Sequence, residues 1–116
     1  IEDNPSNREL MAMMIEHIDS VTLYCAVDGE SGLLLAESLQ PDIIIVDIDL
    51  PGMDGYSVRR SLVATPENRD TPIFALSAAA SINDRHRGRE AGFTRYLTKP
   101  IQFSEIEDII RETVKN

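Results

Sequence analysis

Four places along the chain carry residues able to do chemistry together: the acidic pair Glu2-Asp3, the triplet Asp47-Ile48-Asp49, Ser77 and Lys99. Carboxylates gathered at one point repel unless a cation joins them. Hard oxygen ligands with room for water suit Mg²⁺, which takes one or two carboxylates together with phosphate oxygens. A carboxylate is also a nucleophile that forms an aspartyl phosphate. A metal then neutralises charge on the transferring group, while an ammonium such as Lys99 pairs with another of its oxygens. Ser77 donates to a phosphoryl oxygen only once there is one to receive the bond, and that asymmetry makes a switch. Singly, each residue has a commoner reading: an Asp at a strand end caps a helix, Ser77 caps the helix after it, and Lys-Pro dipeptides are frequent. Only their convergence separates the readings, and convergence depends on the elements that carry them.

Those elements alternate in period. Residues 5–18 read as a helix, with Leu10, Met11, Met14, Ile15 and Ile18 on one face, Asn4 as N-cap and Pro5 in the first turn. Residues 21–26 read as a strand, and Asp28-Gly29 opens a helix that runs to residue 39 and stops at Pro41. The unbroken β-branched run 43–46 marks a strand buried on both faces. A helix over 55–64, a polar turn over 65–71, a strand over 72–76, and a helix over 82–91 ending at Gly92 follow. A strand over 94–97 leads to a last helix over 104–114, for which Ser104 and Glu107 supply a capping box.

Strands alternating with helices imply a parallel sheet covered on both faces, with ligands outside the carboxyl ends of the strands. Strand 43–46 ends at Asp47, strand 72–76 at Ser77, and strand 94–97 just before Lys99. Ile1 to Pro5 read as the exit of a further strand whose body is absent. Four strand ends thus bring two carboxyl clusters, a hydroxyl and an ammonium to one edge.

At 116 residues and 42% hydrophobic, the chain is one domain, residues 1–116, with one core. A net charge of −9 argues against direct nucleic-acid contact. The apolar stretches are too short to span a bilayer and no signal peptide is visible, so a cytoplasmic protein is expected. The single cysteine, Cys25, lies in an apolar run and is expected to be a buried thiol in a reducing compartment.

Over its whole length the chain resembles the receiver domain of two-component response regulators. The resemblance rests on Glu2-Asp3-Asn4-Pro5, the stretch 41–55, the stretch 73–78 and the stretch 91–100. Most specific are Asp47 with Pro51 four residues on, then Gly52-Met53-Asp54-Gly55, combined with Lys99-Pro100. It implies a flavodoxin-like fold: a three-layer, doubly wound α/β domain of five helices with strand order 2-1-3-4-5. It makes Asp47 the phosphoacceptor, with Asp3 and Asp47 as direct Mg²⁺ ligands, Glu2 acting through water and the Asp49 backbone carbonyl completing the set. Ser77 and Lys99 would contact the phosphoryl group, Tyr96 would be the aromatic partner that turns with Ser77, and Lys99-Pro100 would be a cis peptide. The phosphoryl donor would be a histidine kinase or a histidine phosphotransfer domain. The domain would be a non-enzymatic phosphoacceptor that assists its own phosphorylation and dephosphorylation.

Departures from the family pattern are Ser at 77, where Thr is commoner, and an Asp at 49, whose charge is expected to alter acyl-phosphate hydrolysis. The family's central first strand is missing before Ile1, and upstream residues or a partner chain are expected to supply it. Asn7 and residues 95–100 look most like the receiver of a hybrid histidine kinase. Helix 82–91, strand 94–97 and helix 104–114 are the expected output surface, whose charges offer pairing in a homodimer. Two rivals stand beside this. A haloacid-dehalogenase-like phosphohydrolase shares the Asp-x-Asp after a buried strand but needs a further acidic motif beyond Lys99. A non-phosphorylated pseudo-receiver interaction module would be expected to lack Asp47, Lys99 or the acidic pair.

Overall fold

A computed structural model of the chain describes residues 1–79 and 81–113. Its elements in order are α1 (Pro5–Glu16), α2 (Gly29–Leu39), β1 (Ile44–Asp47), α3 (Gly55–Val63), β2 (Ile73–Ser77), α4 (Ile82–Glu90), β3 (Arg95–Thr98) and α5 (Phe103–Thr113). A 3₁₀ turn, Pro66–Asn68, occupies the polar stretch before β2. The sheet is parallel in the order β1-β2-β3, with Asp47 opposite Leu76 and Ser77 opposite Thr98.

Side-chain alternation divides each strand between two cores. Ile44, Val46, Ile73 and Ala75 face α2 and α3 through Ala36, Val58 and Leu62. Phe74, Leu76 and Leu97, with Ile43 and Ile45, face α1 and α5 through Met11, Met14, Ile15, Ile106 and Ile109. A strand with apolar neighbours on both sides has no polar face, which is why 43–46 and 73–76 are continuous apolar runs. Five helices on the two faces of a parallel sheet give the doubly wound, three-layer architecture.

Helix boundaries follow their caps. Asn4 Oδ1 accepts the amides of Ser6 (2.8 Å) and Asn7 (3.3 Å) at the start of α1. Asp28 and Asp54 cap α2 and α3 through the amides of Ser31 and Ser57. Gln40 takes a left-handed conformation (φ 51°) to end α2 before Pro41. α4 is polar all round and buries only Gly88. It is held by a capping box between Ser81 and Asp84, by Arg87 and Arg89 facing the negative end of its dipole, and by Gly92 (φ 96°) beyond its C-cap.

Three expectations are corrected. Residues 21–26 form no strand ladder: their bond to the sheet region is the Glu2 amide donating to the Ala26 carbonyl (2.9 Å). The apolar pattern is present, but only Ile1 and Glu2 lie alongside as partners. Cys25 is exposed, because this segment packs on one side only. The capping box placed on Ser104 and Glu107 is displaced: α5 begins at Phe103, and Glu105 Oε1 accepts the Gln102 amide (3.1 Å) instead. The expected end of that helix at Val114 lies outside the described residues.

Ile1 and Glu2 lie between two segments and bond to both. The Ile1 amino group donates to the Ile45 carbonyl (2.6 Å), the Ile1 carbonyl accepts the Asp47 amide (3.0 Å), and Glu2 bonds Ala26 on the other side. The start of the chain therefore sits between residues 21–26 and β1, and of the expected five-strand order the described residues form the three-stranded part β1-β2-β3.

Candidate functional site

Backbone pairing brings the acidic residues together before any side chain is considered. The Ile1–Asp47 bond sets Glu2 and Asp3 beside the end of β1, and Arg8 Nη1 holds the Glu2 carbonyl from α1 (2.9 Å). Asp47 ends β1 with its side chain buried (2% exposed). Its carbonyl and the Ile48 Cα lie so close to Gly55 that a Cβ there would come within 2.7 Å of both. Only glycine allows α3 to start this near the acidic residue.

Asp47 Oδ1 accepts the Asp49 amide (2.9 Å) and Oδ2 accepts Lys99 Nζ (2.8 Å). Lys99 is aimed from the end of β3, where its own amide donates to the Ser77 carbonyl (2.9 Å) and the Lys99–Pro100 peptide is cis. Its Nζ also lies 3.3 Å from Glu2 Oε1. That contact lacks hydrogen-bond geometry, and the buried Oε1 has no hydrogen-bond partner. Glu2 Oε2 accepts the Asn4 amide (3.2 Å). Carboxylate oxygens of Glu2, Asp3 and Asp47 all lie within 4.8 Å of one another.

Three carboxylates therefore face one ammonium. Burial pushes the Asp47 carboxyl up, but the Lys99 ammonium, the Asp49 amide and Glu2 outweigh it and hold it below the ordinary aspartate value. Burial, and then the Asp47 carboxylate, push Glu2 above its ordinary value. Burial opposes the charge on Lys99, yet Asp47 and Glu2 together hold its ammonium above the usual lysine range. The result is an ionised, buried Asp47 beside an orphaned carboxylate oxygen, an arrangement suited to a hard divalent cation.

Ser77, at the end of β2, is 1% exposed and donates to Asp49 Oδ2 (3.1 Å). Tyr96 is half-buried and donates to the Ala79 carbonyl (2.8 Å). The structure thus brings Glu2, Asp3, Asp47 and Lys99 into one cluster. Ser77 joins that cluster through Asp49, and Tyr96 stands one loop further out. Two contributors were missed in the sequence. The Asp49 side chain as partner of Ser77 had a signal in its position two residues past Asp47. Arg8 as the anchor of Glu2 had none, since one arginine on a helix is ordinary.

The family model described as the response regulator receiver domain matches residues 1–111. The chain is 34% identical over 115 residues to the DNA-binding dual master transcriptional regulator RpaA of Synechocystis, covering 99% of this chain and 47% of that one. It is 36% identical over 119 residues to the transcriptional regulatory protein HprR of Escherichia coli, covering 99% and 50%. The chain therefore spans about half the length of these curated relatives. Among solved structures, the receiver domain of the sensor histidine kinase PA1611 from Pseudomonas aeruginosa, with a magnesium ion in its active site cleft, superposes with a TM-score of 0.88. The two are 33% identical, over 100% of this chain and 94% of that one.

Proposed function

The chain belongs to the response regulator receiver domain family of two-component signalling, and we propose that Asp47 is its phosphoacceptor, taking a phosphoryl group from a histidine kinase or a histidine phosphotransfer domain. One observation carries the reading. Asp47 is buried, with Lys99 Nζ at 2.8 Å and the carboxylates of Glu2 and Asp3 beside it. A carboxylate oxygen attacks phosphorus, the phosphorus–nitrogen bond of the phosphohistidine breaks, and its electron pair returns to the imidazole, leaving an acyl phosphate. Lys99 holds Asp47 ionised beforehand and pairs with phosphoryl oxygens afterwards. Ser77 then donates a hydrogen bond from its hydroxyl to a phosphoryl oxygen, and Tyr96 follows the movement of the 77–79 segment. The domain is a phosphoacceptor that assists its own phosphorylation and dephosphorylation rather than an enzyme turning over a separate substrate.

Mg²⁺ fits the residues present. The orphaned Glu2 oxygen and the carboxylates grouped with it are hard ligands; Asp3 and Asp47 would hold the ion directly and Glu2 through water, with the Asp49 backbone carbonyl completing the set. When bound, the ion would neutralise charge on the phosphoryl oxygens. The P. aeruginosa receiver, with magnesium in its cleft, supports the choice.

The output surface is assigned to α4, β3 and α5, where Arg85, Arg89, Arg95 and Tyr96 line a cleft. A homodimer through this face, action in the cytoplasm and the absence of direct nucleic-acid contact belong to the same proposal. Among the described residues no helix is long and apolar enough to cross a membrane.

Incubation with acetyl phosphate and Mg²⁺ followed by mass spectrometry tests the acceptor. The native domain is expected to gain one phosphoryl group and Asp47→Asn none. A variant that incorporates phosphate at the native rate would sink the assignment.

A further inference from the structure

The Ser77 hydroxyl has a single proton to donate, and here it goes to Asp49: Oγ lies 3.1 Å from Asp49 Oδ2. The same Oγ accepts the Ala79 amide (3.1 Å), and the Ala79 carbonyl accepts the Tyr96 hydroxyl (2.8 Å). The Tyr96 ring lies against α4 so closely that a Cβ on Gly88 would come within 2.5 Å of its Cδ2. The Ala79 backbone thus links the hydrogen bonds of the carboxylate two residues past Asp47 and Ser77 to the ring that touches α4. At its other end Asp49 is tied to the acceptor, its amide donating to Asp47 Oδ1 (2.9 Å).

We propose that Asp49 is a latch: its carboxylate holds the Ser77 hydroxyl in the unphosphorylated domain and must release it when Asp47 is phosphorylated. The proposal rests on Asp47 being the acceptor and adds a residue that competes for the switch. Ser77 cannot donate to Asp49 and to a phosphoryl oxygen at once. Its side chain is buried (1% exposed), so water does not readily supply a substitute acceptor. Phosphorylation replaces the single carboxylate charge of Asp47 with a phosphoryl group carrying about −1.5 to −2, a net gain of roughly −0.5 to −1, which both repels the Asp49 carboxylate and offers Ser77 a stronger acceptor. Asp49 acts through Ser77 and is a positioning residue. It is exposed, so its replacement leaves the core intact.

Removing the carboxylate also removes plain repulsion, so the test separates bond from charge. The native domain, Asp49→Ala, Ser77→Ala and the double variant are titrated with beryllofluoride in the presence of Mg²⁺. Asp49→Ala is expected to tighten beryllofluoride binding about three- to tenfold more when Ser77 is present than in the Ser77→Ala background. Equal tightening in both backgrounds overturns the latch and leaves charge alone as the cause.

A second readout needs neither metal nor phosphoryl analogue. In the metal-free domain, the Ala79 amide resonance is expected to shift and its hydrogen exchange to quicken in Asp49→Ala. Asp49→Asn, which keeps an acceptor oxygen, is expected to restore both towards native. An Ala79 amide identical in the native domain and Asp49→Ala overturns the latch whatever Asp47 does. A native domain that ignores beryllofluoride overturns the acceptor reading instead.

Discussion

Lys99 stands between two carboxylates and is closer to Asp47 (2.8 Å) than to Glu2 (3.3 Å). Its removal leaves Asp47 and Glu2 facing each other, buried, without a counter-charge. Breaking a fully buried pair costs about 3–5 kcal/mol; Lys99 is 21% exposed, so on the order of 2 kcal/mol is expected for Lys99→Ala in the absence of divalent ions. A bound cation replaces the lost ammonium, so the deficit is expected to shrink when Mg²⁺ is added. Urea denaturation of both proteins with EDTA and with Mg²⁺ checks this; a deficit of the same size in both would mean that no cation shares the cluster. At this scale most of the site was legible, because acidic residues, a serine and a lysine at successive strand ends are a pattern in one dimension. The Asp49–Ser77 bond was not, since it depends on side-chain direction across 28 residues of separation. The exposure of Cys25 escaped for a related reason: an apolar run does not say whether both sides of it are covered.

Elements were legible where local chemistry fixes them and not where neighbours do. Asn4, Asp28 and Asp54 start helices through bonds to amides two or three residues on, which sequence alone displays. The start of α5 was misplaced because Ser104 and Glu105 offer overlapping caps, and the pairing of Glu105 with Gln102 prevails. The Ser81–Asp84 box of α4 obeys the same serine–acid spacing but was not drawn from the sequence. Residues 21–26 carry the apolar pattern of a strand, yet their bond to the sheet region is the Glu2–Ala26 pair alone. Asp54 allows a test of capping. The Ser57 amide holds its carboxyl below the ordinary aspartate value, with burial opposing weakly. A depressed folded-state value stabilises above the unfolded one, near pH 4, and that contribution is lost as pH falls through the folded value. Asp54→Ala is therefore expected to cost about 1 kcal/mol at neutral pH, and the gap between variant and native should narrow towards about pH 3. Denaturation midpoints at the two pH values decide it, and a gap that does not change with pH would remove the charged cap from the account of α3.

At the scale of the molecule, doubly wound topology was legible because alternating periods leave few ways to cover a parallel sheet. The Asp-x-Asp spacing shared with the phosphohydrolase rival, which lacked its further acidic motif here, is resolved by the family match over residues 1–111. The radius of gyration, 13.2 Å, is close to the roughly 13 Å expected of a compact domain this size. A ligand that binds only the folded state stabilises it by mass action, about 2.7 kcal/mol at a hundredfold excess over Kd. MgCl₂ is therefore expected to raise the melting temperature of the whole domain, and NaCl at the same ionic strength to raise it much less. The distinction matters in a chain of net charge −9, where any salt relieves self-repulsion. Asp47→Asn is expected to keep the NaCl response and lose most of the Mg²⁺ response. Were the two salts equivalent in the native protein, its stability would respond to screening and not to an ion held between Glu2, Asp3 and Asp47.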